Sequence, residues 1–359
     1  MKRLLFLSFS AVLLLITACD PTSGGPDDDG PLLPSFDRMA MLEGWANDVI
    51  LPAYEASSSA TTRLATSATE FAASPTGENL GAVRAEFQAA YLSWQGLSPF
   101  LMGRAEEINL RFRANTYPAN TELIRQNIAS GSFNLDLPSQ TVAQGFPALD
   151  YLLYANTDAL LATGPEASAL REYITTLTFT LRDLIASAQS EWTAPFVTAY
   201  ALNDGNSATA SVDRTVNDYI FHYEKFLRAG KVGIPAGVFS DMPLADRAEA
   251  LYSGQSKALM LASLSASEDF FNEHGLAEYL NTLNVMRDGE PLSAKISNQF
   301  TAIRTEAENV GPDFSQQVSE DNVRMLALYD EMQRLVVLLK VDMLQALSIN
   351  VDYVDADGD

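Results

Sequence analysis

The sequence predicts an all-α protein made of helical bundles, on three observations. Apolar residues recur at helical spacing along four long segments, no run of residues makes a convincing strand, and Pro- and Gly-rich stretches punctuate the helical segments. At 359 residues the chain is long enough for about two domains with cores of their own. Hydrophobic residues make up 47% and charged residues 19%, too apolar for a disordered chain and too mixed for an integral membrane bundle.

The elements follow in order. Residues 1–18 read as a secretory signal: Lys2 and Arg3 precede an apolar stretch, Leu4 to Ala18, that is too short to span a bilayer. Ile16-Thr17-Ala18 leads to Cys19, which sits where bacterial lipoprotein precursors are cut and acylated, so Cys19 is expected to carry a lipid anchor. Residues 19–35, rich in Gly, Pro and Asp, are expected to form a flexible tether. A first bundle is expected over 36–157 and a second over 165–359, parted by the stretch from Asn156 to Pro165.

Within the first bundle a helix is expected over 36–73, bent near Pro52. Ser74-Pro75-Thr76-Gly77 breaks it, and Asn79 is placed to cap the next. That next helix carries Leu80, Val83, Phe87, Ala90, Tyr91 and Trp94 on one face, with Trp94 expected in the core. Shorter helices are expected over 118–130 and 147–155. Leu170, Tyr173, Leu177, Leu181 and Leu184 mark a third long stripe, and Val216, Tyr219, Ile220, Tyr223, Phe226 and Leu227 a fourth. Helices over 246–272 and 292–310 precede the last stripe, from Met325 to Leu347.

Charge and composition exclude several functions. Lys and Arg number 23 against 46 Asp and Glu, and a net charge of -23 repels phosphate backbones, so nucleic acid is not an expected partner. With two histidines and one cysteine, any metal site would be built mainly from oxygen. The chain has no His-Glu-x-x-His, no Gly-x-Ser-x-Gly and no phosphate-binding Gly-rich loop, so no catalytic residue is nominated.

Several polar groups stand out. Glu249, Ser253 and Ser256 are spaced to share one helix face, with Tyr252 beside it, facing either a cleft or water. Arg111, Arg113 and Asn115 form a basic cluster suited to a carboxylate or phosphate ligand, or to internal ion pairs. Lys231, followed by Gly233 and Pro235, reads as a helix end. His222 reads as a half-buried, hydrogen-bonded histidine, and His274 with Glu278 as a loop-to-helix junction. The tail Asp355-Ala356-Asp357-Gly358-Asp359 resembles the opening of a calcium loop without its distal glutamate.

Separated segments together resemble the imelysin-like family of bacterial periplasmic proteins. They are Leu51-Pro52-Ala53-Tyr54, residues 82–95, Leu110 to Arg113, Tyr117 to Thr121, residues 145–154, Lys231 to Gly237, residues 248–256, Gly275 to Leu280 and Asp357-Gly358-Asp359. The resemblance implies two bundle-like halves with a cleft between them, a peptidase label and a link with iron acquisition. Its signature, Gly-x-His-x-x-Glu, falls on Gly145, Pro147 and Asp150, with proline in the histidine's place and aspartate in the glutamate's. Proline offers no ligand and no base, so the metal-ready pair is lost.

The expected function is therefore a lipid-anchored binding protein of the cell envelope, periplasmic or at the cell surface. It would be associated with iron acquisition, without peptidase activity, and would bind a ligand through Arg113, Asp150, Glu249, Ser253 and Ser256. Iron or another hard cation is the cofactor class considered. An outer-membrane iron-uptake receptor or other envelope protein is the partner class. A metallopeptidase of the imelysin type and a partner-docking structural lipoprotein are the alternatives.

Overall fold

A computed structural model describes residues 36–353. The signal, Cys19, the tether and the acidic tail lie outside the described residues. Asp37 opens helix α1 (Arg38–Gly44) by accepting the N–H of Ala40 at 2.9 Å. The helix runs on through a π-helical stretch, Trp45–Ile50, into α2 (Leu51–Ala73). Pro52 has no N–H to return to the carbonyl of Asp48, and the wider π register lies just upstream of it.

Next comes α3 (Gly77–Leu97), whose cap is Thr76, accepting the N–H of Asn79 at 3.2 Å. Asn79 itself turns back to donate to the Ser74 carbonyl at 2.8 Å, which corrects its expected capping role. Short helices α4 (Arg104–Glu107), α5 (Leu110–Asn115) and α6 (Thr121–Ser130) follow. Then come α7 (Gly145–Tyr154), α8 (Thr157–Leu161) and the long α9 (Pro165–Gln189). Helix α2 lies along both α3 and α9, and α9 also packs on α7.

The remaining helices begin with α10 (Ala194–Leu202), packed on α1. Helix α11 (Ser211–Phe221) continues through a second π-helical stretch, His222–Gly233, into α12 (Ile234–Ala236), and Gly237 ends it with φ +79°. Then come α13 (Ser256–Glu273), α14 (Leu276–Thr282), a hairpin of β1 (Met286–Arg287) with β2 (Glu290–Pro291), α15 (Leu292–Ala307) and α16 (Phe314–Val336). A third π-helical stretch, Val337–Met343, leads to α17 (Leu344–Leu347).

Helices α13 and α16 pack with the His222–Gly233 stretch, α15 packs on both of them, and α13 also packs on α3, so both groups of helices share one apolar core. Trp94 is 1% exposed within it, as its place on the stripe predicts. No helix among the described residues is long and apolar enough to cross a membrane.

Three expectations are corrected. The helix expected over 246–272 starts only at Ser256, and residues 249–254 form turns, so Glu249, Ser253 and Ser256 do not share a helix face. Ala250 and Gly254 adopt φ of +54° and +67°, which no right-handed helix accommodates. The absence of strands gives way to a two-residue hairpin, whose Asp288-Gly289 turn takes φ of +52° and +84°. Lys231 is not at a helix end, because the helical path runs on to Ala236.

Gly145 opens α7 with φ +75°, and a β-carbon there would overlap the carbonyl oxygens of Arg113 and Ala114 at the end of α5. The motif glycine is thus required for helix docking. Gly145→Ala combines left-handed strain with overpacking and is expected to lower unfolding free energy by about 2–4 kcal/mol. Urea denaturation would show this as a lower midpoint at unchanged slope.

Candidate functional site

The Glu249 carboxylate, 1% exposed, is the meeting point of four chain segments. Lys231, from the π-helical stretch, makes a buried ion pair with its Oε2. Asn115, the last residue of α5, donates from Nδ2 to Oε1 at 2.7 Å. Tyr91, from α3, reaches Oε1 at 3.1 Å and Asn115 Oδ1 at 2.7 Å, sharing one hydroxyl proton between them. Ser256, opening α13, donates to the Glu249 main-chain carbonyl at 2.6 Å.

Glycine and aromatic packing fix these groups. Phe146, beside Gly145 in α7, stacks on the Tyr91 ring at 4.5 Å and 4°. A β-carbon on Gly230 would sit 2.9 Å from the Tyr117 hydroxyl, so the glycine makes room for a second buried phenol. Burial, reinforced by the Glu249 charge, pushes both Tyr91 and Tyr117 well above the usual phenol range, which keeps both hydroxyls protonated. Burial pulls Lys231 down, and Glu249 opposes that shift.

Asp150, also 1% exposed, lies on the other side of the same turn. Its Oδ2 accepts the N–H of Tyr252 at 2.8 Å and its Oδ1 that of Ser253 at 3.1 Å. The Ser253 hydroxyl is enclosed beside the carboxylate but in poor hydrogen-bond geometry. Burial raises Asp150 to about 6, against the pull of these Ser253 and Tyr252 donors. The expected stripe is replaced by a turn that Asp150 ties and Glu249 anchors.

A second polar group lies alongside. Arg111 donates to the Ser98 carbonyl at 2.7 Å, pairs with Asp218 at 3.3 Å and lies over the Phe226 ring at 4.8 Å. Its Nη1 is 3.3 Å from His222 Nδ1. A guanidinium only donates, so Nδ1 is the acceptor and Nε2 carries the proton given to Ser263 Oγ at 2.9 Å. That polarity is the reverse of a serine–base dyad. His222 is 2% exposed, more deeply buried than expected, and burial together with Arg111 and Lys231 holds it well below the ordinary imidazole range.

Arg111, Asn115, Tyr117, His222 and Lys231 border a hollow of about 10 Å³, room for roughly one water molecule. Arg111 also borders a larger cavity of about 320 Å³, with Phe112, Asp218, Phe221 and Tyr353. Arg113 turns elsewhere, to Asp136 at 2.8 Å, so the structure does not bring it to Asp150 and Glu249. His274 ends α13 ahead of Gly275, the junction that its neighbours imply, and its carbonyl accepts from the Trp45 indole at 2.5 Å.

The residues present do not fit a metal. No group of three or more His, Cys, Asp or Glu is placed to hold an ion among the described residues. Pro147 is buried in the first turn of α7, where its missing N–H costs nothing. Both oxygens of Glu249 face Lys231, Asn115 and Tyr91, and both of Asp150 face main-chain N–H groups. Sequence reasoning missed Lys231 and Tyr117 as parts of this site because their partners are distant in the chain.

The raised Asp150 carboxyl has a pH signature. Between its ordinary value near 3.8 and about 6 the folded chain holds a proton that the unfolded chain releases. Asp150 therefore favours folding below pH 4, and that contribution, on the order of 3 kcal/mol, is lost as pH rises through 6. In urea unfolding, the stability of the wild type relative to Asp150→Asn is expected to fall between pH 4 and pH 7.

Comparison with known proteins places this architecture. The imelysin family model (peptidase M75) matches residues 50–340. An imelysin-like protein from Psychrobacter arcticum 273-4 superposes with TM-score 0.72 at 18% identity, covering 88% of this chain and 97% of its own. A Parabacteroides distasonis ATCC 8503 protein, designated an iron-regulated protein A precursor, superposes with TM-score 0.73 at 16% identity, covering 88% and 96%. No curated protein matches the chain. With the family model spanning most of its length, the chain belongs to the imelysin family.

Proposed function

We propose that this imelysin-family chain is a lipid-anchored protein of the bacterial cell envelope that binds a ligand without cleaving peptides, in the service of iron acquisition. The observation that carries the non-enzymatic half is the full engagement of Glu249 and Asp150 by Lys231, Asn115, Tyr91 and two main-chain N–H groups. Peptide hydrolysis needs a metal-bound water or a general base that water and substrate can reach, and these buried, hydrogen-bonded carboxylates are poorly placed for either role. The signal-like start and Cys19 support envelope anchoring. The iron-regulated designation of one structural neighbour supports the link with iron.

A bare ferric ion finds no open oxygen at the Asp150–Glu249 turn, so this reading assigns iron as a chelate, delivered by or to an envelope receptor. The cavity of about 320 Å³ beside Arg111 is within the size range of small-ligand sites. Arg214 and Asp218 supply charged groups there, while Ser253 and Ser256 help to hold the separate turn around Glu249.

Two assays on the purified chain test the proposal. Casein is expected to stay intact with or without added zinc or iron. Calorimetric titration with ferric citrate is expected to saturate, with affinity about tenfold weaker in Arg214→Ala, a loss of about 1.4 kcal/mol. Chelator-sensitive cleavage that Asp150→Ala abolishes would establish the metallopeptidase instead. Failure to bind ferric citrate, ferric ion and haem alike would leave the structural, partner-docking reading.

A further inference from the structure

The cavity beside Arg111 continues into a second one. A hollow of about 300 Å³, bordered by Glu191, Phe196, Tyr200 and Ser211, shares Met102 and Arg214 with the cavity of about 320 Å³. One face of α11 runs along both. Ser211 borders the second cavity, Arg214 borders both, and Asp218 and Phe221 border the first, in helical register. The helix rises about 15 Å from Ser211 to Phe221, so the two cavities form one groove of about that length.

Each cavity combines a carboxylate with aromatic rings. In the second, a β-carbon on Gly103 would collide with the Glu191 carboxylate, so the glycine lets Glu191 rest against the backbone, where its Oε2 accepts the N–H of Arg104 at 2.6 Å. Its Oε1 accepts no hydrogen bond among the described residues, and Phe196 and Tyr200 border the same hollow. In the first, Asp352 lies with Phe221 and with Phe112, which is 45% exposed. The cations of the groove already have partners: Arg214 pairs with Glu106 at 3.5 Å and Arg111 with Asp218 at 3.3 Å. Neither Glu191 nor Asp352 makes an ion pair among the described residues, so each cavity keeps one uncompensated negative charge.

We propose that this groove binds a linear polyamine, a chain with an ammonium group near each end and methylenes between. One ammonium meets Glu191 and the other Asp352 by charge-assisted hydrogen bonds, each beside rings whose faces attract cations. The methylenes lie along Met102, which both cavities share. The net charge of -23 draws a polycation toward the chain. The site does not depend on the iron reading; where both hold, the two ligands compete for the cavity beside Arg111.

Calorimetric titration of the full chain with two probes tests this. Spermidine is expected to saturate one site, and 1,3-diaminopropane, too short to span the groove, to bind about tenfold more weakly or worse. Glu191→Gln and Asp352→Asn each remove one charge at nearly constant shape, and each is expected to weaken spermidine about tenfold. Glu78→Gln, at an exposed carboxylate of α3, is expected to leave the affinity unchanged. Absence of saturable spermidine binding overturns the proposal. So do equal affinities for the two probes, a spermidine affinity unmoved by Glu191→Gln and Asp352→Asn, or an equal loss in Glu78→Gln, which would mark diffuse attraction to an acidic surface. Spermidine binding to a chain that binds no ferric citrate, ferric ion or haem supports this site and removes the iron reading.

Discussion

The buried ion pair of Lys231 with Glu249 is the contact on which the centre of this protein depends. Two charges taken out of water cost several kcal/mol each unless every remaining donor and acceptor is met, and here Asn115 and Tyr91 complete the acceptor side. The pair binds the π-helical stretch to a turn of the later chain, while its hydrogen bonds draw in α3 and α5. Two groups of helices are thereby held in one arrangement by polar contacts inside a core that is otherwise apolar.

The same pair shapes the chemistry. A glutamate that is 1% exposed, paired with an ammonium and bonded at both oxygens presents no open face to a metal or a water molecule. Asp150 is used in a parallel way, its carboxylate spent on the amides of Tyr252 and Ser253. Proline in the histidine's place is accommodated in the first turn of α7, where no N–H is needed. The retained Gly145 is explained by helix docking alone.

The long helices were legible because their apolar spacing is local information. Phe87, Tyr91 and Trp94 on α3, and Tyr173, Leu177 and Leu181 on α9, are buried as the 3.6-residue period requires. The 249–255 turn was not legible. Its break depends on Ala250 at φ +54°, a conformation for which alanine gives no signal, and on an acceptor, Asp150, that lies about a hundred residues earlier. Lys231 read as a helix end because Gly233 and Pro235 follow it, whereas the helical path runs on to Ala236. The Asp288-Gly289 hairpin, by contrast, did carry a local signal in its dipeptide.

A double-mutant cycle on Lys231→Met and Glu249→Gln tests the central claim most directly. Each single change leaves a buried polar partner unmet and is expected to cost about 3–5 kcal/mol in chemical unfolding. The double change should cost far less than their sum, giving a coupling of about 2 kcal/mol or more. Additive losses, with coupling below about 0.5 kcal/mol, would mean that the two charges do not pair inside the fold and would contradict the account.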